Sequence, residues 1–78
     1  MSKTNIVGEL KKGSGVVRVQ AVTFKGRPRV DIREFFRRED GTLAPTRKGV
    51  SLVPEDALKL RKQLRLAVKR TRAQKAGE

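Results

Sequence analysis

The hydrophobic and polar positions follow a two-residue period over much of the chain before residue 53. In VVRVQAVTF, residues 16–24, every second side chain lies on the same face of the predicted strand. One face begins with Val17 and the opposite face begins with Val16. Such alternation is typical of a strand whose two faces meet different surroundings. Runs of this kind predict four strands: residues 5–10, 16–24, 29–36 and 47–52.

Short segments of turn-forming residues separate these runs. KKGSG at 11–15 is rich in Gly and Ser, and KGRP at 25–28 is a tight connection. REDGT at 38–42 carries an Asp-Gly pair, which is a strong hairpin signal. Because the connections are short, neighbouring strands are expected to pair antiparallel as a meander.

The period becomes helical after Pro54, a residue that suits the first turn of a helix. Glu55 and Asp56 place negative charge where the helix dipole favours it. Apolar residues then recur along one stripe, which Leu58 and Leu66 widen. The stripe consists of Ala57, Leu60, Leu64, Ala67 and Val68.

The predicted fold is α+β, with a four-stranded antiparallel sheet followed by one C-terminal helix. We expect a single domain over residues 1–70 and a flexible basic tail over residues 71–78, where the apolar stripe has ended. One helix can cover one face of the sheet. The other face must therefore be solvated or serve as a binding surface.

Composition limits the chemistry that the chain can perform. It has 78 residues and neither Cys nor His, which excludes disulfides, thiolate or imidazole zinc sites, and Cys–His or Ser–His catalysis. A chain this short is marginally stable alone, so oligomerisation is the expected support. We expect no cofactor. No apolar run is long enough for a membrane span or fit for a signal peptide, which predicts an intracellular protein without membrane association.

The charge balance points to a polyanionic partner. Twenty Lys and Arg against eight Asp and Glu give a formal net charge of +12. A field of this sign attracts nucleic acid, the commonest cellular polyanion. The alternative is an architectural protein, associated with the ribosome or nucleoid, that uses its charge on duplex DNA or folded RNA.

The predicted second strand carries a mixed aromatic and basic face. If Val17 and Val19 face the helix, then Arg18 and Phe24 face away from it. Exposed aromatic rings stack on unpaired bases while basic groups follow the phosphates. Duplex DNA hides its bases, so this face favours single strands over duplex.

The third strand contains two adjacent rings, Phe35 and Phe36, and its register decides which one is exposed. Strict alternation exposes Phe35 and buries Phe36, whereas a β-bulge near Glu34 reverses the two. The sequence leaves both alternatives open.

Two longer stretches resemble the positive-cofactor-four family of transcriptional coactivators. They are FKGRPRVDIREFF at 24–36 and PTRKGVSLVPE at 45–55, and the resemblance extends over about residues 5–68. It implies a curved antiparallel sheet followed by a long helix. It also implies a homodimer in which helices pack at the subunit interface and the sheets form channels for single-stranded DNA.

The resemblance further implies roles for individual residues. Phe24 occupies the position of a base-stacking phenylalanine, and Phe36 occupies that of a stacking tryptophan. Exposure of Phe36 for stacking requires a bulge or strong twist near Glu34. With Arg18 added from the alternation of the second strand, the predicted nucleic-acid-binding residues are Arg18, Phe24, Lys25, Arg27, Arg33, Phe36, Arg47 and Lys48. The spacing of the apolar stripe predicts that Leu60, Leu64 and Val68 serve packing and dimerisation.

Together these observations predict a non-enzymatic homodimer that binds single-stranded DNA without a fixed sequence. RNA and partly melted duplex are alternative ligands of the same surface. The protein would lie in the cytoplasm or nucleoid of a bacterium, or in the host cytoplasm if it comes from a phage. Four acidic residues offer potential metal ligands but are better explained as ion-pair partners and turn residues. They are Asp31, Glu34, Glu39 and Asp40.

Overall fold

The computed structural model describes residues 3–76 and confirms the predicted order of elements. Four strands are followed by a helix: β1 (Lys3–Lys12), β2 (Gly15–Phe24), β3 (Arg27–Arg37), β4 (Leu43–Leu52) and α1 (Pro54–Ala76). The strands form one antiparallel sheet in the order β1-β2-β3-β4. Each strand thus pairs with its neighbour in sequence, as the short connections require.

The turns before β3 and β4 contain residues in the left-handed conformation, which glycine adopts readily and other residues rarely adopt. Lys25 and Gly26 form the two-residue connection between β2 and β3, and both have positive φ, 52° and 76°. Positive φ at both central residues is the requirement of a type I′ hairpin turn. Gly41, with φ of 91°, lies in the turn before β4, where the backbone N–H of Arg38 donates to the carbonyl of Thr42 at 2.7 Å.

The central pairing of the sheet is regular, whereas both edge pairings are interrupted. β2 and β3 pair without a break from Val16–Phe35 to Phe24–Arg27. The β1–β2 register shifts between Ile6 and Gly8. The β3–β4 register shifts between Arg33 and Phe35, where β4 contains more residues than the facing part of β3.

The helix begins at Pro54, as predicted, and extends further than the apolar stripe. The N–H of Ala57 donates to the carbonyl of Val53 at 3.0 Å, and the Thr71 hydroxyl donates to the carbonyl of Ala67 at 2.7 Å. The helix therefore includes residues 71–76 of the segment that the sequence predicted as a tail, and flexibility of that segment stays a prediction. Residues 77 and 78 lie outside the described part of the chain.

The core inside one chain is small. Among the residues whose burial is described, the buried ones are Phe35, Ala44 and Gln20. The chain exposes 6860 Å² of surface, whereas a compact monomer of 8.7 kDa exposes about 4,700 Å². Its radius of gyration is 15.1 Å, against about 11.5 Å for a compact domain of this length. A single copy therefore leaves much apolar surface in contact with solvent.

Candidate nucleic-acid interface

A groove of about 540 Å³ runs over the sheet face that points away from the helix. Its assignment to this face follows from the register, because Gln20 pairs with Asp31 while their chain neighbours line the helix side. The groove is lined by aromatic, aliphatic and polar side chains from all four strands. They include Gln20, Val22, Phe24, Arg29, Asp31, Arg33, Phe35 and Pro45.

An exposed aromatic ring lies at one end of the groove. Phe24 is the last residue of β2, and 55% of it is exposed. The tight turn places the Lys25 Nζ 5.3 Å from the centroid of the ring. Arg27 pairs with Phe24 across the hairpin. The turn therefore holds a flat apolar surface directly beside two cations, the combination that a stacked base and its phosphate require.

The opposite end of the groove contains a covered ring. Phe35 is only 9% exposed, and the guanidinium carbon of Arg18 lies 4.3 Å from its centroid. Arg18 also forms an ion pair with Glu9 on β1. Such cation–π contacts are worth about 0.5–1 kcal/mol at exposed sites. Arg18 thus covers Phe35 and has a carboxylate partner of its own.

A hydrogen-bonded network crosses the middle of the groove. Arg33 Nη2 donates to Asp31 Oδ1 at 2.9 Å, and Arg33 Nε donates to Asp31 Oδ2 at 3.2 Å. Gln20 Nε2 donates to the same Oδ2 at 3.3 Å, and Arg33 Nη1 donates to the carbonyl of Thr46 at 3.1 Å. The hydrogen bond to Asp31 raises the pKa of Arg33 above its ordinary value. The guanidinium of Arg33 is therefore fixed in position before any ligand arrives.

The structure decides which ring of the adjacent pair is exposed. Because the β2–β3 pairing is regular, Phe35 faces the groove, as strict alternation predicts. The exposures that alternation predicted are nevertheless wrong, since Phe35 is 9% exposed and Phe36 is 49% exposed. Arg18 covers the first ring, and no helix residue lines the hollow around the second. The bulge expected in β3 is absent, because the extra residues belong to β4.

Phe36 lies on the opposite side of the sheet from Phe24. It lines a hollow of about 470 Å³ with Lys12, Glu34 and Lys48, among others. Lys12 Nζ forms an ion pair with Glu34 at 3.1 Å. Of the predicted site cations, Lys48 lines this hollow. The pairing partner of Phe24 is Arg27, and Phe36 follows it nine positions later along the extended strand β3, a distance of about 30 Å.

The irregular part of β4 positions the basic pair Arg47 and Lys48. The Thr46 hydroxyl donates to the carbonyl of Glu34 at 2.8 Å and accepts from the N–H of Lys48 at 3.1 Å. These bonds hold residues 46–48 where the strand ladder is interrupted. The pairing resumes at Gly49, where an added Cβ would lie 2.4 Å from the carbonyl oxygen of Ile32. Only glycine fits this approach without movement of the backbone.

Most of the predicted site residues therefore fall into two clusters, one on each face of the sheet. Phe24, Lys25 and Arg27 form the hairpin cluster, with Arg33 further along the groove. Phe36 and Lys48 form the second cluster on the other face. Arg18 covers Phe35 and does not line the groove directly.

Three contributions were missed from the sequence. Arg29 lines the groove and donates to the Ser51 hydroxyl at 2.9 Å. Lys12 lines the same hollow as Phe36. Asp31 accepts hydrogen bonds from both Gln20 and Arg33. Alternation places Arg29 and Asp31 on the same face as Arg33, which was the available signal. The position of Lys12 depends on cross-strand register, which alternation does not give.

The predicted interface residues of the helix border a second, apolar hollow. Leu60, Leu64 and Val68 face Val19 and Ile32 across about 560 Å³ on the helix side of the sheet. Leu64 is 53% exposed and Val68 is 51% exposed. The stripe therefore meets the sheet only in part within one chain.

Three of the four acidic residues that offered potential metal ligands have other partners. Asp31 pairs with Arg33, Glu34 pairs with Lys12, and the Asp40 carboxylate accepts from the Thr42 hydroxyl at 2.7 Å and N–H at 2.9 Å. Within the described range they form no metal-binding group with other acidic residues. The helix, over its described residues, lacks the apolar length needed to cross a bilayer.

Comparisons with known proteins agree with this geometry. The model of the Transcriptional Coactivator p15 (PC4) family matches residues 11–63. Crystal structures of a PC4 homologue from Burkholderia pseudomallei have the same fold in two crystal forms. The orthorhombic form is 29% identical, with a TM-score of 0.77 over 82% of this chain and 88% of the homologue. The tetragonal form is 28% identical, with a TM-score of 0.78 over 85% and 98%.

The fold and the matched residues together define a class of protein, with an antiparallel sheet followed by a C-terminal helix of the PC4 type. The chain belongs to the Transcriptional Coactivator p15 (PC4) family. The resemblance seen in the sequence is thereby confirmed.

Proposed function

We propose that the protein is a homodimer that binds single-stranded DNA without a fixed sequence and without catalysing a reaction. Its predicted contacts are made by the hairpin cluster, by the Phe36 hollow and by the basic residues between them. Family membership supports action on DNA in a transcriptional setting. A nucleic-acid ligand also agrees with the intracellular location expected from the sequence.

The exposed Phe24 ring beside Lys25 is the observation that carries the proposal. A phenylalanine that is 55% exposed contributes little to the core of this chain. Stacking of an unpaired base on such a ring is worth about 1–3 kcal/mol, and it is not available to the stacked bases of a duplex. The two-residue turn fixes the backbone that carries the ring and the cation, which lowers the ordering needed on binding.

The proposed path of the single-stranded DNA uses both faces of the sheet. Phe24 and Phe36 lie on opposite faces, and the edge strand β4 is next to Phe36. Arg47 and Lys48 lie on that edge. A single strand that stacks on both rings of one protomer would pass over the edge at these two cations, with its phosphates beside them.

The proposed dimer rests on the surface that one chain leaves uncovered. The excess over a compact monomer is about 2,100 Å², and obligate interfaces bury areas of this order. Leu60, Leu64 and Val68 supply apolar surface at the helix. A second helix packed on this stripe would complete the core that one copy lacks.

The test is a competition titration of single-stranded against duplex DNA of equal length at fixed salt. Molecular mass in solution is measured in the same buffer. We expect preferential binding of the single strand by a species of twice 8.7 kDa. Preference for duplex DNA or folded RNA would favour the architectural alternative, and a monomeric mass would contradict the dimer.

A further inference from the structure

A carboxylate lies in the middle of the surface that is proposed to bind a polyanion. Asp31 is in the centre of the groove, between the exposed ring of Phe24 and the covered ring of Phe35. Its side chain remains 13% exposed. Arg33 balances its charge, but an ionised carboxylate only accepts hydrogen bonds and has no donor to offer a phosphate oxygen. A part of the nucleotide that carries an N–H donor is therefore the better partner for Asp31 at the centre of the groove.

The local surroundings suit a base edge. Val22, Phe24 and Pro45 provide apolar walls, and the polar groups are confined to Gln20, Asp31, Arg29, Arg33 and the two hydroxyl residues Thr4 and Ser51. Although six of the ten lining residues are polar, most of the surface that lines the groove is apolar. An apolar surface with a few placed polar groups is typical of a site for a flat organic ligand. Its volume of about 540 Å³ exceeds that of one base.

The carboxylate retains acceptor capacity toward the groove. Asp31 accepts two N–H bonds from Arg33 and one from Gln20. A carboxylate offers about four lone-pair sites. Because Arg33 and Gln20 hold the carboxylate in place, its orientation is fixed in the absence of a base.

We infer that Asp31 reads the edge of one nucleobase in the groove and favours bases that carry an exocyclic amino group over thymine. The inference rests on the proposed single-strand binding. An ionised carboxylate only accepts hydrogen bonds, and cytosine offers it the N4 amino group. Thymine presents a carbonyl, O4, at the equivalent position, so the carboxylate faces an acceptor.

A purely positioning role for Asp31 makes a different prediction. If the carboxylate serves only to orient Arg33, its removal changes the affinity for every sequence by the same factor. A base-reading carboxylate instead changes the ratio of affinities between sequences. The ratio is therefore the quantity to measure.

The first experiment uses the unmodified protein with oligonucleotides of deoxycytidine, thymidine and deoxyuridine of equal length. We expect the cytosine oligomer to bind about fivefold more tightly than the thymine oligomer, the lower end of discrimination by a good base contact. The uracil oligomer should match thymine, since it has the same O4 carbonyl and lacks only the methyl group. Equal binding of all three, or uracil binding like cytosine, overturns the inference.

The second experiment compares Asp31→Asn with Glu39→Gln, which removes the same charge from an exposed turn outside the groove. The Asn amide can donate to O4, so Asp31→Asn should abolish or reverse the cytosine preference, and Glu39→Gln should retain it. An unchanged cytosine preference in folded Asp31→Asn contradicts the inference. Failure of the unmodified protein to bind any oligomer would instead contradict the proposed function.

Discussion

The two faces of the sheet differ in how far one chain completes them. On the groove face, Arg18 covers Phe35 and Arg33 pairs with Asp31. Every buried side-chain nitrogen or oxygen of the described residues has a hydrogen-bond partner. On the helix face, Leu64 and Val68 remain about half exposed above an open apolar hollow. The groove face is ordered by contacts within the chain, whereas the helix face lacks apolar contacts that one chain does not supply.

The difference shows that an exposed apolar side chain indicates a different kind of partner on each face of the sheet. The exposed ring of Phe24 lies next to a cation, and such a surface suits a charged ligand with a flat base. The exposed stripe of the helix adjoins other apolar side chains, and such a surface suits another apolar surface. Substitutions on the two faces should therefore affect different measurements.

The largest expected effect comes from a charge in the apolar stripe. Leu64→Glu would bury a carboxylate in the proposed dimer interface, at a cost of several kcal/mol per ion. We expect the dissociation constant of the dimer to rise by roughly 100-fold or more, measured by analytical ultracentrifugation. Gln63→Glu adds the same charge at the adjacent exposed position and should leave the dimer intact. A dimeric Leu64→Glu protein would exclude this stripe from the interface.

The next effect concerns salt and sharpens the comparison on the groove face. Six cations were predicted to contact phosphate, but Arg18 and Arg33 already have carboxylate partners. If the other four, Lys25, Arg27, Arg47 and Lys48, each neutralise one phosphate, affinity should fall about 50-fold between 50 and 200 mM salt, from a slope of about −0.7 per phosphate. Contacts by all six would give a fall of roughly 300-fold. Titrations at several salt concentrations distinguish these slopes.

Removal of an exposed ring should weaken binding and preserve the fold. Phe24→Ala and Phe36→Ala are each expected to reduce single-strand affinity about tenfold, because each deletes one stacking surface. Fluorescence anisotropy measures the affinity, and thermal unfolding should change little.

The buried ring provides the contrast for this pair. Phe35→Ala should lower the free energy of unfolding by about 3–5 kcal/mol, because it removes a buried aromatic side chain. Normal affinity in both exposed-ring variants would refute the stacking mechanism.

The smallest expected effect lies in the turn before β4, outside both faces. Hydrogen bonds from the Thr42 hydroxyl and N–H lower the pKa of the Asp40 carboxyl. Because the folded pKa lies below the unfolded one, the associated stability is complete above the ordinary pKa of about 3.9 and is lost as the pH falls through the folded pKa. Thr42→Val should raise the pKa of Asp40 toward its ordinary value in a carboxyl NMR titration. Thr4→Val, on β1, should leave it unchanged.

Much of the fold could be predicted because local patterns and topology agreed. Alternation identified the strands, Pro54 with two acidic residues located the helix start, and short turns implied an antiparallel meander. Strand ends were less accurate, since β4 begins at Leu43 and not near residue 47. Pairing with β3 extends this strand past the interruption, and alternation carries no signal for such pairing.

The site was less predictable because it depends on contacts between strands. The sequence indicated that Arg18 and Phe35 share a face, but the cover that Arg18 provides for the ring requires the β2–β3 register. The exposure of Phe36 depends on where the helix lies, which the stripe alone does not determine. The roles of Asp31 and Lys12 likewise depend on neighbours that are distant in sequence.

Both outer strands of the sheet are interrupted, which bears on self-association into fibres. A long, regular edge offers unpaired N–H and C=O groups on which strands of other molecules can add, and bulges are one natural protection. In β1 the regular stretches are residues 3–6 and 8–12, and in β4 they are residues 43–45 and 49–52. Such short templates hinder open-ended strand addition. The interrupted edges therefore protect the protein against fibre formation at high concentration.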